Sequence, residues 1–227
     1  MSEWPYGDPA RAPARGPLHV GGELDFATLL AAYRHGVFPW YSEDEPVQWW
    51  SPNPRFVLPP GDLRVTDSLR KTMRKPGWTV TLDQAFERVM RACAAVPRHG
   101  QDGTWITEEM IAAYVELHRR GHAHSVEVSW QGELVGGLYG VAIGRIFHGE
   151  SMFHTRSDAS KVGFAALVGR LRTAGFQLID CQMPTAHLAS LGAAPIRRAE
   201  FLATLARERD QAPAAHAWVS PLALAGP

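Results

Sequence analysis

Cysteine is nearly absent: Cys93 and Cys181 are the only two in 227 residues. They lie far apart and without metal-ligand spacing, which excludes a disulfide framework and reads as two reduced thiols. An excess of either charge is also missing, with 23 Lys and Arg against 23 Asp and Glu. That balance excludes a uniformly basic nucleic-acid coat, though not a local basic patch. No uncharged apolar run approaches the ~18 residues of a membrane-spanning helix. Arg11 and Arg15 are followed by no apolar segment of the signal-peptide kind, so the cytoplasm is the expected location. What is present is material for a core. Hydrophobic residues make up 45% and charged residues 20%, the balance of a soluble globular protein.

Four prolines (Pro5, Pro9, Pro13, Pro17) among Gly, Ala and Arg make residues 1–17 an expected flexible arm. From Asp25, a candidate N-cap, Phe26, Leu29, Leu30 and Tyr33 recur at helical spacing, and Gly36 ends that helix. The stretch that follows is rich in aromatics and prolines. It reads as a rigid loop with short strand pieces at 48–50 and 55–58. Trp49 and Trp50 are adjacent, so on a strand one faces the core and the other faces out, where an indole can stack on a base. Gly61 marks the expected domain boundary, with a small N-terminal domain over 18–61 and a larger domain over 62–227. Just beyond it Arg64, Arg70, Lys71, Arg74 and Lys75 face only Asp62 and Asp67. Such a window is either an ordinary solvated face or a phosphate-contacting patch.

The larger domain opens with a strand over 78–82 and a helix over 83–95. A second helix starts at Thr107 with an apolar stripe of Ile106, Met110, Ile111, Tyr114 and Leu117. His118, His122 and His124 straddle a helix end and a loop, with no carboxylate at ligand spacing, so no metal site is expected. Alternation and turn residues then predict a three-stranded antiparallel meander over 125–130, 134–143 and 146–153. A helix over 160–173 follows, with Ser157 or Asp158 as its cap, then a strand over 177–182, a short helix from Pro184, a helix over 198–209 and an edge strand at Trp218-Val219. This is α+β order, with a mainly antiparallel sheet in the layout of a GNAT-like acyltransferase domain. In Leu178-Ile179-Asp180-Cys181-Gln182, alternation puts Asp180 and Gln182 on one side, about 7 Å apart. They either satisfy a neighbouring loop or line an active site.

Acetyltransferases of this layout hold coenzyme A on a Gly-rich turn that opens the helix after the meander. Here that turn, 153–161, has no glycine pair and carries Asp158, which disfavours an acyl-CoA donor. Instead the chain resembles the leucyl/phenylalanyl-tRNA–protein transferases. The resemblance is carried, in order, by Gly36-Val37-Phe38-Pro39-Trp40 with Gln48-Trp49-Trp50-Ser51-Pro52, by Thr104-Trp105-Ile106-Thr107, and by Gly121-His122-Ala123-His124-Ser125-Val126-Glu127-Val128. It continues through Leu134-Val135-Gly136-Gly137-Leu138-Tyr139-Gly140-Val141, Gly149-Glu150-Ser151-Met152-Phe153, and Leu178-Ile179-Asp180-Cys181-Gln182 with Leu188-Ala189-Ser190-Leu191-Gly192-Ala193. It spans about residues 18–220.

The resemblance implies an aminoacyltransferase without metal or coenzyme. Its partners would be Leu- or Phe-tRNA (less well Met-tRNA) and a protein beginning with Arg or Lys, and its product would feed N-end rule degradation. It further implies an apolar pocket for the transferred side chain, supplied by Leu138, Phe147, Met152 and Phe153. Trp49 would stack the terminal adenosine, helped by Trp50 or Trp105. Asp180, near Gln182, would attract the amine and relay its proton, with Glu150 holding the ribose or amine, and the 64–75 window would touch the acceptor stem. Nothing in the sequence demands more than a monomer. Two other readings stay open: an acyl-CoA N-acetyltransferase, and a non-catalytic module that binds basic N-termini.

Overall fold

The computed structural model describes residues 4–96 and 104–224; the polar loop expected at 97–103 lies outside them. The N-terminal unit is a small antiparallel sheet of β1 (His19–Val20), β2 (Phe38–Pro39) and β3 (Gln48–Trp50), in the order β1-β3-β2. Helix α1 (Phe26–Arg34) begins where the Asp25 carboxylate accepts the Thr28 N–H at 2.7 Å. It ends at Gly36, whose φ of +76° suits glycine.

Residues 4–17 are not the flexible arm the sequence leads one to expect. Trp4 is buried, packed edge-on against Trp49 with ring centres 5.1 Å apart. The Arg198 guanidinium donates to the backbone carbonyls of Ala10, Ala12 and Pro13. Proline-rich backbone has few donors but many free carbonyls, and a single arginine collects three of them.

The domain boundary also moves. Strand β4 (Arg55–Leu58) lies inside the larger sheet, not in the N-terminal unit, so the break falls before Arg55 and not at Gly61. That sheet adds β5 (Trp78–Leu82), β6 (Ala123–Trp130), β7 (Glu133–Ile143), β8 (Ile146–His154), β9 (Leu178–Gln182) and β10 (Ala194–Ile196). Its order is β10-β4-β9-β8-β7-β6-β5, and every pairing is antiparallel except β8 with β9. The other α-helices among the described residues are α2 (Asp67–Met73), α3 (Phe86–Ala94), α4 (Glu108–Arg119), α5 (Ala159–Thr173), α6 (Ala186–Ser190) and α7 (Arg198–Glu208). One core holds α1, α3, α4 and α7 against one face of the sheet; a second holds α2 and α5 against the other. Helix α5 lies so close to the meander that a Cβ on Gly163 would stand 2.6 Å from Val128. None of the helices among the described residues is long and apolar enough to cross a membrane.

Two smaller expectations change. Asp158 has φ +65° and makes no capping bond; its carboxylate takes Lys161 at 2.9 Å instead. Trp218 is in a turn, not an edge strand, and its ring stacks 3.5 Å from that of His124. The metal-like histidines are engaged in structure: His118 bonds the Ala123 carbonyl and His124 the Asp83 carboxylate, each at 2.8 Å.

The parallel pair positions the site. Strands β8 and β9 are hydrogen-bonded only over 146–148 and 178–180. Beyond that β8 stays with β7, β9 stays with β4, and a wedge opens between Gly149 and Cys181.

Candidate active site

The wedge is the mouth of a cavity of about 440 Å³. Its floor is Gly149, Glu150, Ser151 and Met152 from β8 with Cys181 and Gln182 from β9, and Leu138, Phe147 and Phe164 form an apolar wall. Phe38 and Trp40 of the N-terminal unit, with Trp105, close the other side. A β-bulge makes this lining possible. Tyr139 faces Ser151 across the ladder and Gly140 faces Gly149, which leaves Glu150 as the extra residue. Met152 and Phe147 are an odd number of residues apart, so regular alternation would put them on opposite faces; the bulge restores both to the cavity side. Gly140 makes room for the Phe147 ring, since a Cβ there would stand 2.5 Å from it.

Three of the four expected pocket residues, Leu138, Phe147 and Met152, line the cavity. Phe153 does not. It follows Met152 on the strand, so it faces the other side and packs with Val89 in the first core.

The polar part of the floor centres on Glu150. Its Oε1 accepts from the Tyr33 hydroxyl at 2.7 Å and from Gln182 Nε2 at 2.8 Å, and its Oε2 from the Tyr114 hydroxyl at 3.4 Å. The two tyrosine hydroxyls also touch each other. All three partners are neutral. Burial therefore dominates and pushes the Glu150 carboxyl up to about 8, with the Asp180 charge adding to the rise against the Tyr33 and Gln182 hydrogen bonds. Gln182 reaches Glu150 through a local distortion. Its φ is +60°, and the Met183 N–H donates to the Cys181 carbonyl at 2.7 Å, closing a γ-turn around it. The turn breaks the alternation that would have kept Gln182 beside Asp180.

Asp180 is elsewhere. It is fully buried, does not border the cavity, and occupies the layer behind the floor. Arg55 clamps it with Nε to Oδ1 at 2.7 Å and Nη2 to Oδ2 at 2.6 Å; His148 Nδ1 lies 2.8 Å from Oδ2, and the Gln182 N–H donates to Oδ1 at 2.9 Å. Two carboxylate oxygens offer about four acceptor sites, and four donors fill them. Burial alone would raise this carboxyl, but the Arg55 charge and hydrogen bonds hold it well below the usual carboxylate range. It is an ionised anchor whose acceptor sites are filled by Arg55, His148 and the Gln182 backbone. Arg55 also donates to the Gly36 carbonyl at 3.1 Å and lies over the rings of Phe38 and Phe201, at 4.8 and 4.5 Å. Sequence reasoning misses Arg55, His148, Tyr33 and Tyr114. The one signal is an arginine opening a strand, Arg55-Phe56-Val57-Leu58, that is otherwise wholly apolar.

A family model described as leucyl/phenylalanyl-tRNA protein transferase matches residues 57–206, and the model of that family's N-terminal domain matches 22–53. The chain belongs to the leucyl/phenylalanyl-tRNA–protein transferase family. The gap between the two matches falls at the start of β4, where the sheet also puts the boundary. Curated proteins of that name include one from Pseudomonas fluorescens (strain Pf0-1), 62% identical over 86% of both chains. Another, from Solidesulfovibrio magneticus, is 52% identical over 95% of this chain and 87% of its own. Among solved structures, a GCN5-related N-acetyltransferase from Kribbella flavida aligns with TM-score 0.39 and 15% identity over 73% of this chain and 58% of its own. The protein is thus an aminoacyltransferase that takes its donor from tRNA.

In this transferase the tryptophans divide differently from expectation. Trp49 is fully buried, its Nε1 donating to the Gly21 carbonyl at 2.9 Å, so neither face of its ring is open to a base. Phe38 pairs with Trp50 and Pro39 with Trp49 across β2 and β3, so alternation puts Phe38, Trp40 and Trp50 on one side and Trp49 on the other. Trp40 and Trp105 border both the main cavity and a neighbouring one of about 450 Å³; Trp50 borders only the second. The missed residue is Trp40, the last of the Phe38-Pro39-Trp40 segment.

The basic window of the transferase forms α2 and the turn after it. Arg70 is spent on Asp67 at 2.9 Å. Arg64, Lys71, Arg74 and Lys75 are exposed and have no ion-pair partner among the described residues.

Proposed function

We propose that the cavity takes the aminoacyl-adenosine end of Leu-tRNA or Phe-tRNA, and less well of Met-tRNA, and hands the amino acid to the α-amine of a protein beginning with Arg or Lys. The transferred side chain lies against Leu138, Phe147 and Met152, where the flexible thioether accommodates either a branched or a flat group. A β-branched donor is disfavoured by shape, at about 1–3 kcal/mol per misplaced methylene. The adenine lies against Trp40 and Trp105, a stack of about 1–3 kcal/mol. The exposed cations of the 64–75 window attract the acceptor stem.

The observation that carries this reading is Glu150, an acid held near 8 on the floor of an apolar cavity. A free α-amino group has a pKa of about 7.7–8.0. A proton moves between such a matched pair at almost no cost, the condition for general-base catalysis at neutral pH. Glu150 takes the proton from the α-ammonium, and Gln182 fixes the carboxyl that receives it. The free amine then attacks the ester carbonyl. The C–N bond forms, the C–O bond to the ribose breaks, the attacking nitrogen's second proton passes to the departing ribose oxygen, and Glu150 releases the first to solvent. The ester is already activated, so orientation and this proton are most of the task. The product, with Leu or Phe at its N-terminus, enters N-end rule degradation in the cytoplasm, and the transferase acts as a monomer.

One assay decides. The protein is incubated with Phe-tRNA and an Arg-initiated peptide, and the peptide N-terminus is read by mass spectrometry. A gain of one phenylalanine is expected, lost with an Ala-initiated peptide. Acetylation from acetyl-CoA, or peptide binding without any transfer, would overturn the reading.

A further inference from the structure

A cavity of about 370 Å³ lies between α2, the β5–β6 edge and the start of α5, apart from the site above, and joins Lys75 of the basic window to the 153–161 turn. Lys75, Trp78, Trp130 and Arg156 line it, with the hydroxyl residues Thr72 and Ser157. The two indoles stand edge to face with centres 4.7 Å apart. The Arg156 guanidinium rests on this shelf, 4.1 Å above Trp130 and 5.9 Å from Trp78. A cation–π contact fixes the plane of a guanidinium but uses none of its five N–H donors. Arg156 makes no ion pair among the described residues, and neither does Lys75. The one carboxylate in the lining, Asp158, is already paired with Lys161. The result is a planar fork held in place with its donors unspent, with a second cation and two hydroxyl residues in the same lining. That is the chemistry of a phosphodiester site.

Its place fits. Arg156 is four residues along the chain from Met152 on the active-site floor, a reach of at most ~14 Å. Stacked nucleotides advance by roughly 3.4 Å each, so this is about the length of the single-stranded tail that ends a tRNA. His154 and Lys161 lie on the way. Both are close enough to the cavity-lining His187 that, after burial, their charges help hold it below its usual range. Beyond the shelf, Lys71 and Arg74 continue the positive surface along α2.

We propose that the Arg156–Lys75 cavity binds the donor's phosphate backbone where the single-stranded tail meets the acceptor stem, with Arg156 as the bidentate donor. This rests on the reading that the donor is aminoacyl-tRNA. The test compares two donors, phenylalanyl-tRNA and 3′-O-phenylalanyl-adenosine, with wild type, Arg156→Gln, Arg156→Lys and the double variant Arg156→Gln/Lys75→Gln. For phenylalanyl-tRNA at about 0.1 M salt, kcat/KM of the double variant is expected to fall roughly tenfold or more through KM. The salt slope of log kcat/KM should become shallower by about one for each phosphate no longer neutralised. Arg156→Lys, which keeps the charge but not the fork, should fall between wild type and Arg156→Gln. Any loss with phenylalanyl-adenosine should be at least tenfold smaller. Equal losses with both donors, or an unchanged KM and salt slope with phenylalanyl-tRNA, would overturn the proposal. Wild type failing to transfer from phenylalanyl-tRNA at all would instead overturn the functional reading beneath it.

Discussion

Two carboxyl clusters, one half-buried at the cavity and one fully buried, lie back to back at the wedge between β8 and β9. Glu150 faces the cavity among neutral donors, Tyr33, Tyr114 and Gln182, and is pushed up to about 8. Asp180 lies behind it between Arg55 and His148 and is held well down. Burial acts in the same direction on both. The partners decide the outcome, because a guanidinium favours the ionised form far more than a phenol or an amide does. One acid becomes a titratable group raised well above its usual range, the other a fixed charge. Gln182 belongs to both clusters: its backbone N–H bonds Asp180 and its side chain bonds Glu150.

The most forceful way to break this comparison is Arg55→Met. Asp180 is left buried and uncompensated, and about 3–5 kcal/mol of stability should be lost in urea denaturation. Adding Asp180→Leu should return much of that stability, since an apolar pair costs less than a lone buried charge. It should not return transfer, because the Gln182 turn has lost its anchor. Recovery of both would mean that Asp180 does nothing for the turn.

Glu150→Gln tests the other cluster. Transfer should fall about a hundredfold or more, the usual contribution of a positioned base. The stability effect has a definite sign. Folding raises the Glu150 pKa, so its contribution to stability is fully present below the ordinary carboxylate range and is lost as pH rises through about 8. The glutamine variant loses nothing on that path. Its stability relative to wild type should therefore increase from pH 5 to pH 9, and a difference independent of pH would show that Glu150 is ionised throughout.

The mildest perturbation is Gln182→Gly. A left-handed φ costs a non-glycine residue about 1–2 kcal/mol, and the hydrogen bond removed from Glu150 is worth about as much. Thermal stability should stay near wild type while kcat falls and KM for the donor barely moves. An unchanged kcat would leave Gln182 as a structural turn residue.

The meander and the longer helices are legible in the sequence because each rests on local periodicity, as with Val162, Ala165, Val168 and Leu171 on the buried side of α5, whereas the short β1, β2, α2 and β10 are not. The site is legible only where alternation is unbroken. Leu138 and Met152 pair directly in the ladder, and both line the cavity. Alternation puts Asp180 and Gln182 on one face because nothing in Leu178-Ile179-Asp180-Cys181-Gln182 announces a positive φ at its last residue. The bulge at Glu150 is likewise a property of how two strands register, not of either one. Trp49 and Trp40 exchange places for a related reason: which indole of a tryptophan-rich hairpin turns inward depends on a three-strand sheet only a few residues wide. The buried Arg55 needs partners from three distant segments, which no window of sequence contains.

Arg55 has a consequence for the timing of activity. It joins Gly36 and Phe38 to Asp180 and Phe201, and the last two are made late in synthesis. Contacts of such long sequence separation form late. Until β9 and α7 have left the ribosome, the Gln182 turn has no anchor and the tryptophan roof no base. A chain that has not yet made β9 and α7 therefore lacks the contacts that fix Arg55 and, through Asp180, the Gln182 turn.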